Sequence, residues 1–169
     1  PFIPGVFPLG GRAGARTKIE MQGWHLRQDQ RIVDFSSPGV HQLVVRKQHD
    51  ALAERRLDLM IDRQLSTDAG SVRHTESVSN RVPFSVDRVT ECLEKEANDS
   101  LNRPQQVSLP IIVNGRIDKP GDWDVFSFKG RAGQEVYAEV RARRLGSPLD
   151  SVLRLTDASG KQLAIDDDH

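Results

Sequence analysis

The chain has 169 residues, with 24 Lys plus Arg balanced by 24 Asp plus Glu and a mean hydropathy of −0.51. That length serves one domain or two small ones without disulfide staples, and a formal charge of zero gives no electrostatic pull toward nucleic acid or an anionic membrane surface. The single cysteine, Cys92, excludes an internal disulfide and a CxxC metal or redox pair, and no run of about 18 apolar residues offers a transmembrane segment.

The chain opens at Pro1-Phe2-Ile3-Pro4, without an initiator Met or a basic-then-apolar leader, as a processed product or an internal piece would. From there apolar residues recur with period two, the mark of strands. Thr17, Ile19 and Met21 alternate with Lys18, Glu20 and Gln22. One helical turn is expected at Asp50-Ala51-Leu52-Ala53-Glu54, where Asp50 can cap. Leu57, Leu59 and Ile61 resume the alternation, and Val82, Phe84 and Val86 continue it. A break in composition follows at residues 87 to 106, polar and without period, and reads as a joint between two domains. Beyond it, strands are expected at Phe126 and Phe128, at Val136, Ala138 and Val140, and at Val152, Leu153 and Leu155. Turn signals separate these runs: Pro38-Gly39, Asp68-Ala69-Gly70, Pro120-Gly121, Gly146-Ser147-Pro148 and Ser159-Gly160. Gly11-Arg12-Ala13-Gly14 recurs as Gly130-Arg131-Ala132-Gly133, and each copy is expected to be a tight bend entering a strand. The fold class is therefore all-β, read as two β-sandwich domains in tandem.

Residues Pro8-Leu9-Gly10-Gly11, Gly14, Thr17, Ile19 and Gly23-Trp24-His25-Leu26, with the later Ser79-Asn80-Arg81-Val82-Pro83-Phe84-Ser85-Val86, resemble an IPT/TIG immunoglobulin-like domain over residues 1–87. After a linker at 88–106, residues 107–169 resemble the bacterial pre-peptidase C-terminal domain. The resemblance is carried by Asp118-Lys119-Pro120-Gly121-Asp122-Trp123-Asp124-Val125-Phe126-Ser127-Phe128, Gly133, Val136, Leu149-Asp150-Ser151-Val152-Leu153-Arg154-Leu155 and Asp157-Ala158-Ser159-Gly160. That family is a jelly-roll-like β-sandwich appended to secreted proteases and is similar to the collagen-binding domains of clostridial collagenases. Only about five strand candidates follow the joint, where a jelly roll uses roughly eight, so this sandwich is expected to be incomplete at the C-terminus or covered by another chain.

Asp122 and Asp124, flanking Trp123, invite a catalytic reading, yet no nucleophile, histidine or oxyanion loop accompanies them in sequence. His25, His41, His49, His74 and His169 lack metal-protease spacing, and GxSxG and phosphate loops are absent. The resemblance instead implies calcium. In the collagen-binding relatives an acidic linker joins aspartates of this loop around the ion, and Glu94, Glu96, Asn98 and Asp99 match that linker, with Asp122 and Asp124 from the loop. Calcium takes about six to eight oxygens, which these side chains can furnish. Asp166-Asp167-Asp168 reads as a solvated acidic loop, and Trp24 and Trp123 as residues packed over the core at strand edges. The resemblance implies no enzyme in this chain, but a spacer, binding or assembly module of a larger exported protein, periplasmic, cell-surface or secreted. Its partner would be another protein chain or an extracellular polymer. The alternatives are an accessory domain pair of a secreted hydrolase whose catalytic domain lies outside the chain, and a structural subunit docked on a larger complex.

Overall fold

The structure, a computed structural model, describes residues 2–24, 29–47, 57–61 and 77–167. The chain divides into two compact units, Pro1–Arg88 and Val89–His169. The described residues are all-β: fourteen strands and one 3-10 turn.

The first unit contains β1 (Phe2–Phe7), β2 (Gly10–Arg12), β3 (Arg16–Trp24), β4 (Asp29–Asp34), β5 (Gly39–Lys47), β6 (Leu57–Ile61), β7 (Ser77–Val78) and β8 (Val82–Asp87). They form an antiparallel sheet in the order β1-β3-β4 and a second sheet in the order β2-β8-β5-β6, with β7 also on β5. Period two decides which face is buried. In β3, Ile19 and Met21 are buried while Lys18 is exposed; in β8, Val82, Phe84 and Val86 are buried and the residues between them are half-buried. One cluster collects Ile3, Val6, Ile19, Met21, Val33 and Phe35 from the first sheet and its flank with Leu43, Val45, Val82, Phe84 and Val86 from the second. A one-residue slip would turn either set outward, so burial fixes the register. The helical turn expected at 50–54 and the turn at 68–70 lie outside the described residues.

Asn80 links the two sheets without belonging to a ladder. Its Oδ1 accepts from the Ile3 N–H at 2.7 Å and its Nδ2 donates to the Ile3 carbonyl at 2.8 Å, a side chain substituting for a neighbouring strand. Beside it, the Ser79 hydroxyl accepts from the Val45 N–H at 2.9 Å. Asn80→Leu keeps the shape and orphans both Ile3 groups, so it is expected to cost about 2 kcal/mol in urea unfolding. An unchanged midpoint would mean that water replaces the amide at no cost.

The Gly-Arg-Ala-Gly repeat is one turn used twice. Ala15 N–H donates to the Arg12 carbonyl at 3.1 Å and Gln134 N–H to the Arg131 carbonyl at 3.0 Å. The third residue of each turn, Gly14 or Gly133, has φ of 73° or 77°, a conformation that favours glycine. The first copy does feed a paired strand, β3. The second does not: residues 134–140 form no ladder with any described strand, and Val136, Tyr137 and Val140 are exposed. Alternation states which face a strand would bury, not which edge pairs with it.

In the second unit, β9 (Glu91–Leu93) runs parallel to β11 (Ile112–Asn114), and β10 (Gln105–Gln106) parallel to β12 (Phe126–Ser127). A 3-10 turn at Arg143–Leu145 precedes an antiparallel hairpin of β13 (Val152–Thr156) and β14 (Gln162–Asp167). The stretch read as a linker, 88–106, thus contributes β9 and β10 to the ladders of this unit; short polar strands such as Gln105–Gln106 carry no hydrophobic period to betray them. Phe126 and Phe128, expected inward, are both half-buried. Asp166 and Asp167, expected in a loop, close β14 instead. Cys92 is half-buried in β9, and burial raises its thiol pKa.

Candidate metal centre

Three stretches of the second unit converge: the exit of β9, the exit of β11 and the approach to β12. Glu94 N–H donates to the Asn114 carbonyl at 2.9 Å, carrying the pairing one step beyond the ladder. Its carboxylate then bridges the exits, with Oε2 accepting from Arg116 N–H at 2.8 Å and Oε1 from Asn98 Nδ2 at 2.9 Å. The Asn98 carbonyl accepts from Val125 N–H at 3.0 Å, which brings Asp122 and Asp124 against residues 94–99. Gly115 leaves room for this arrangement: a Cβ there would lie 2.7 Å from Glu94 Oε2 and 3.4 Å from Asp124 Oδ2.

The six residues singled out in the sequence therefore share one neighbourhood. Oxygens of Glu94, Glu96 and Asp124 lie within 4.8 Å of one another, as do oxygens of Glu96, Asp99 and Asp122, with Glu96 common to both groups. Two oxygens each about 2.4 Å from a shared calcium ion are at most about 5 Å apart, so either spacing suits such an ion. Asn98 is 1% exposed, yet its Oδ1 has no hydrogen-bond donor, and Oδ1 of Asp122 and of Asp124 are buried in the same condition. A buried acceptor left unsatisfied costs about 1–3 kcal/mol. The donor set is all oxygen and hard, which fits calcium and not a thiolate- or imidazole-seeking metal.

Electrostatics express the crowding. Burial, reinforced by Glu94, pushes the Asp124 carboxyl up to about 7. Glu96 is raised as well, by desolvation first and then by its carboxylate neighbours Asp99 and Asp122. Asp99 is lowered, because the Lys119 ammonium hydrogen-bonds it at 3.1 Å. The sequence alone assigns neither Lys119 nor Gly115 a role at this site. The signal for Lys119 was the Pro120-Gly121 turn: Asp122 N–H donates to the Lys119 carbonyl at 3.1 Å and Gly121 has φ of 80°, which sets Lys119 beside Asp122. Trp123, expected over the core, is 56% exposed, with the Arg154 guanidinium 4.8 Å from its ring centre.

No protein-family model matches the chain, and no solved structure matches it. It is similar to a probable subtilase-type serine protease of Deinococcus radiodurans, with 57% identity over 76 residues, 43% of this chain and 10% of that protein. The chain thus spans at most a small part of this relative's length. Among the described residues no helix is long and apolar enough to cross a membrane.

Proposed function

We propose that this chain is a non-catalytic accessory module of a larger exported protein, an immunoglobulin-like sandwich followed by a pre-peptidase C-terminal-like sandwich that binds calcium through Glu94, Glu96, Asn98, Asp99, Asp122 and Asp124. The observation that carries the calcium reading is the set of buried, donorless oxygens on Asn98, Asp122 and Asp124 among five carboxylates. An ion there satisfies those oxygens and fastens residues 94–99 to the approach to β12. The single core drawn from two sheets supports the sandwich reading of the first unit. The protease relative, matched over a tenth of its length, favours the form in which the module accompanies a secreted hydrolase whose catalytic domain lies elsewhere.

A ligand that binds only the native state stabilises it by mass action. With a dissociation constant on the order of 0.1 mM, usual for extracellular calcium modules, about 5 mM calcium stabilises the second unit by about 2 kcal/mol. For a unit this small that is about 10 °C in melting temperature, read by calorimetry against chelator. Coincident melts with and without calcium would overturn the metal assignment. Binding of the isolated chain to a fibrous protein or polysaccharide, compared with the chain plus a protease domain, tests the accessory role.

A further inference from the structure

Lys119 stands inside the acidic neighbourhood. Its ammonium lies 3.1 Å from Asp99 Oδ2 and 3.7 Å from Asp122 Oδ1, so it faces two of the carboxylates that cluster with Glu96. The two partners differ. Asp99 is partly exposed, whereas the Asp122 side chain is 1% exposed and spends its Oδ2 on the Asp118 N–H at 2.8 Å. Asp122 Oδ1 therefore has the lysine as a charge partner at ion-pair distance but no hydrogen-bond donor. The Lys119 side chain is 62% exposed on a long stem, so its ammonium can turn into water when displaced. The turn fixes where its backbone sits.

An acidic cluster alone would not mark a site, but Asn98 is 1% exposed, its Nδ2 is held by Glu94 Oε1 and its Oδ1 is buried without a hydrogen-bond donor, an oxygen of a second kind beside the carboxylates. Resting on the calcium reading above, we infer that Lys119 is a tethered counter-ion that occupies the Asp99–Asp122 side of the centre and must be displaced when a divalent cation binds there. The lysine would then lower affinity, holding the site in a range where it fills only at high calcium. It would also relieve carboxylate repulsion when the ion is missing, so one residue would act with opposite sign on the two states.

The test is calcium titration by calorimetry, with melting curves in chelator, of the wild-type chain, Lys119→Gln and Lys119→Arg. One ammonium faces two carboxylates here, so Lys119→Gln is expected to tighten calcium binding by about threefold to tenfold. The same variant should melt lower than wild type in chelator. Lys119→Arg keeps the charge and should bind calcium no more tightly than wild type. Wild-type binding with unchanged affinity in Lys119→Gln would overturn the counter-ion role while leaving the calcium centre standing. Equal tightening by Gln and Arg would also overturn it, since charge would not be the cause. Absence of calcium binding in all three proteins would remove the calcium reading and this inference together, whereas binding only in Lys119→Gln would support both.

Discussion

Phe84→Ala is expected to destabilise the first unit by about 3 to 5 kcal/mol, the range for truncating a fully buried aromatic ring. Phe84 is 0% exposed at the centre of β8, and its ring stacks on Phe35 with centroids 5.3 Å apart and planes 23° from parallel. Phe35 in turn packs against the His41 ring at 4.3 Å. The backbone also approaches closely, since a Cβ on Gly11 would come within 3.3 Å of Phe84 Cζ and 2.4 Å of Thr17 Oγ1. A cavity here opens against two sheets and a glycine strand, none of which can move in without breaking a ladder. Phe126→Ala removes a ring that is only half-buried, and about 1 to 2 kcal/mol is expected. Urea or thermal unfolding followed separately for the two units measures both. Equal losses would mean that β8 is not the keystone of its unit.

That contrast shows what the sequence could and could not reveal. Alternation found β3 and β8 because each has one face against a large core, so Ile19, Met21, Val82, Phe84 and Val86 had to fall two apart. The same pattern at Phe126 and Phe128 located a strand but overstated its burial, because period two reports polarity and not how much protein lies opposite. At Val136, Ala138 and Val140 it predicted a strand where no ladder with any described strand forms. The short strands β9, β10 and β11 escaped entirely; they are set by parallel backbone pairing between segments about twenty residues apart, to which side-chain polarity is indifferent. The candidate ligands were legible as a set only through family resemblance, since nothing local to Glu94 or Asp124 signals that Asn98 and Val125 will bring their segments together. Gly115 and Lys119 act by space and by charge across that junction, and neither effect is periodic.

Asp124→Asn is expected to act in opposite directions with and without calcium. In the folded, metal-free protein the Asp124 carboxyl titrates near 7 against an ordinary 3.8, through burial and the charge of Glu94. The folded state therefore holds this proton more tightly than the unfolded chain does. Its stabilising contribution is complete below the ordinary carboxylate range and is lost as the pH climbs through about 7. Glu96, also raised, works in the same direction, while Asp99, lowered by Lys119, matters only in stronger acid. In chelator the wild-type second unit should melt lower at pH 8 than at pH 5, and Asp124→Asn, which cannot ionise, should flatten most of that slope and melt above wild type at pH 8. Calcium requires the carboxylate, so the wild-type response to the ion should grow between pH 5 and pH 8, with a proton released on binding below about pH 7. Asp124→Asn should lose at least about 1.4 kcal/mol of calcium stabilisation, a tenfold change in affinity. Melting curves at the two pH values, in chelator and in calcium, read all four states. A wild-type protein equally stable at both pH values in chelator would remove the buried, repelled carboxylate. A full calcium response in Asp124→Asn would take Asp124 out of the ligand set and leave the ion to Glu96, Asp99 and Asp122.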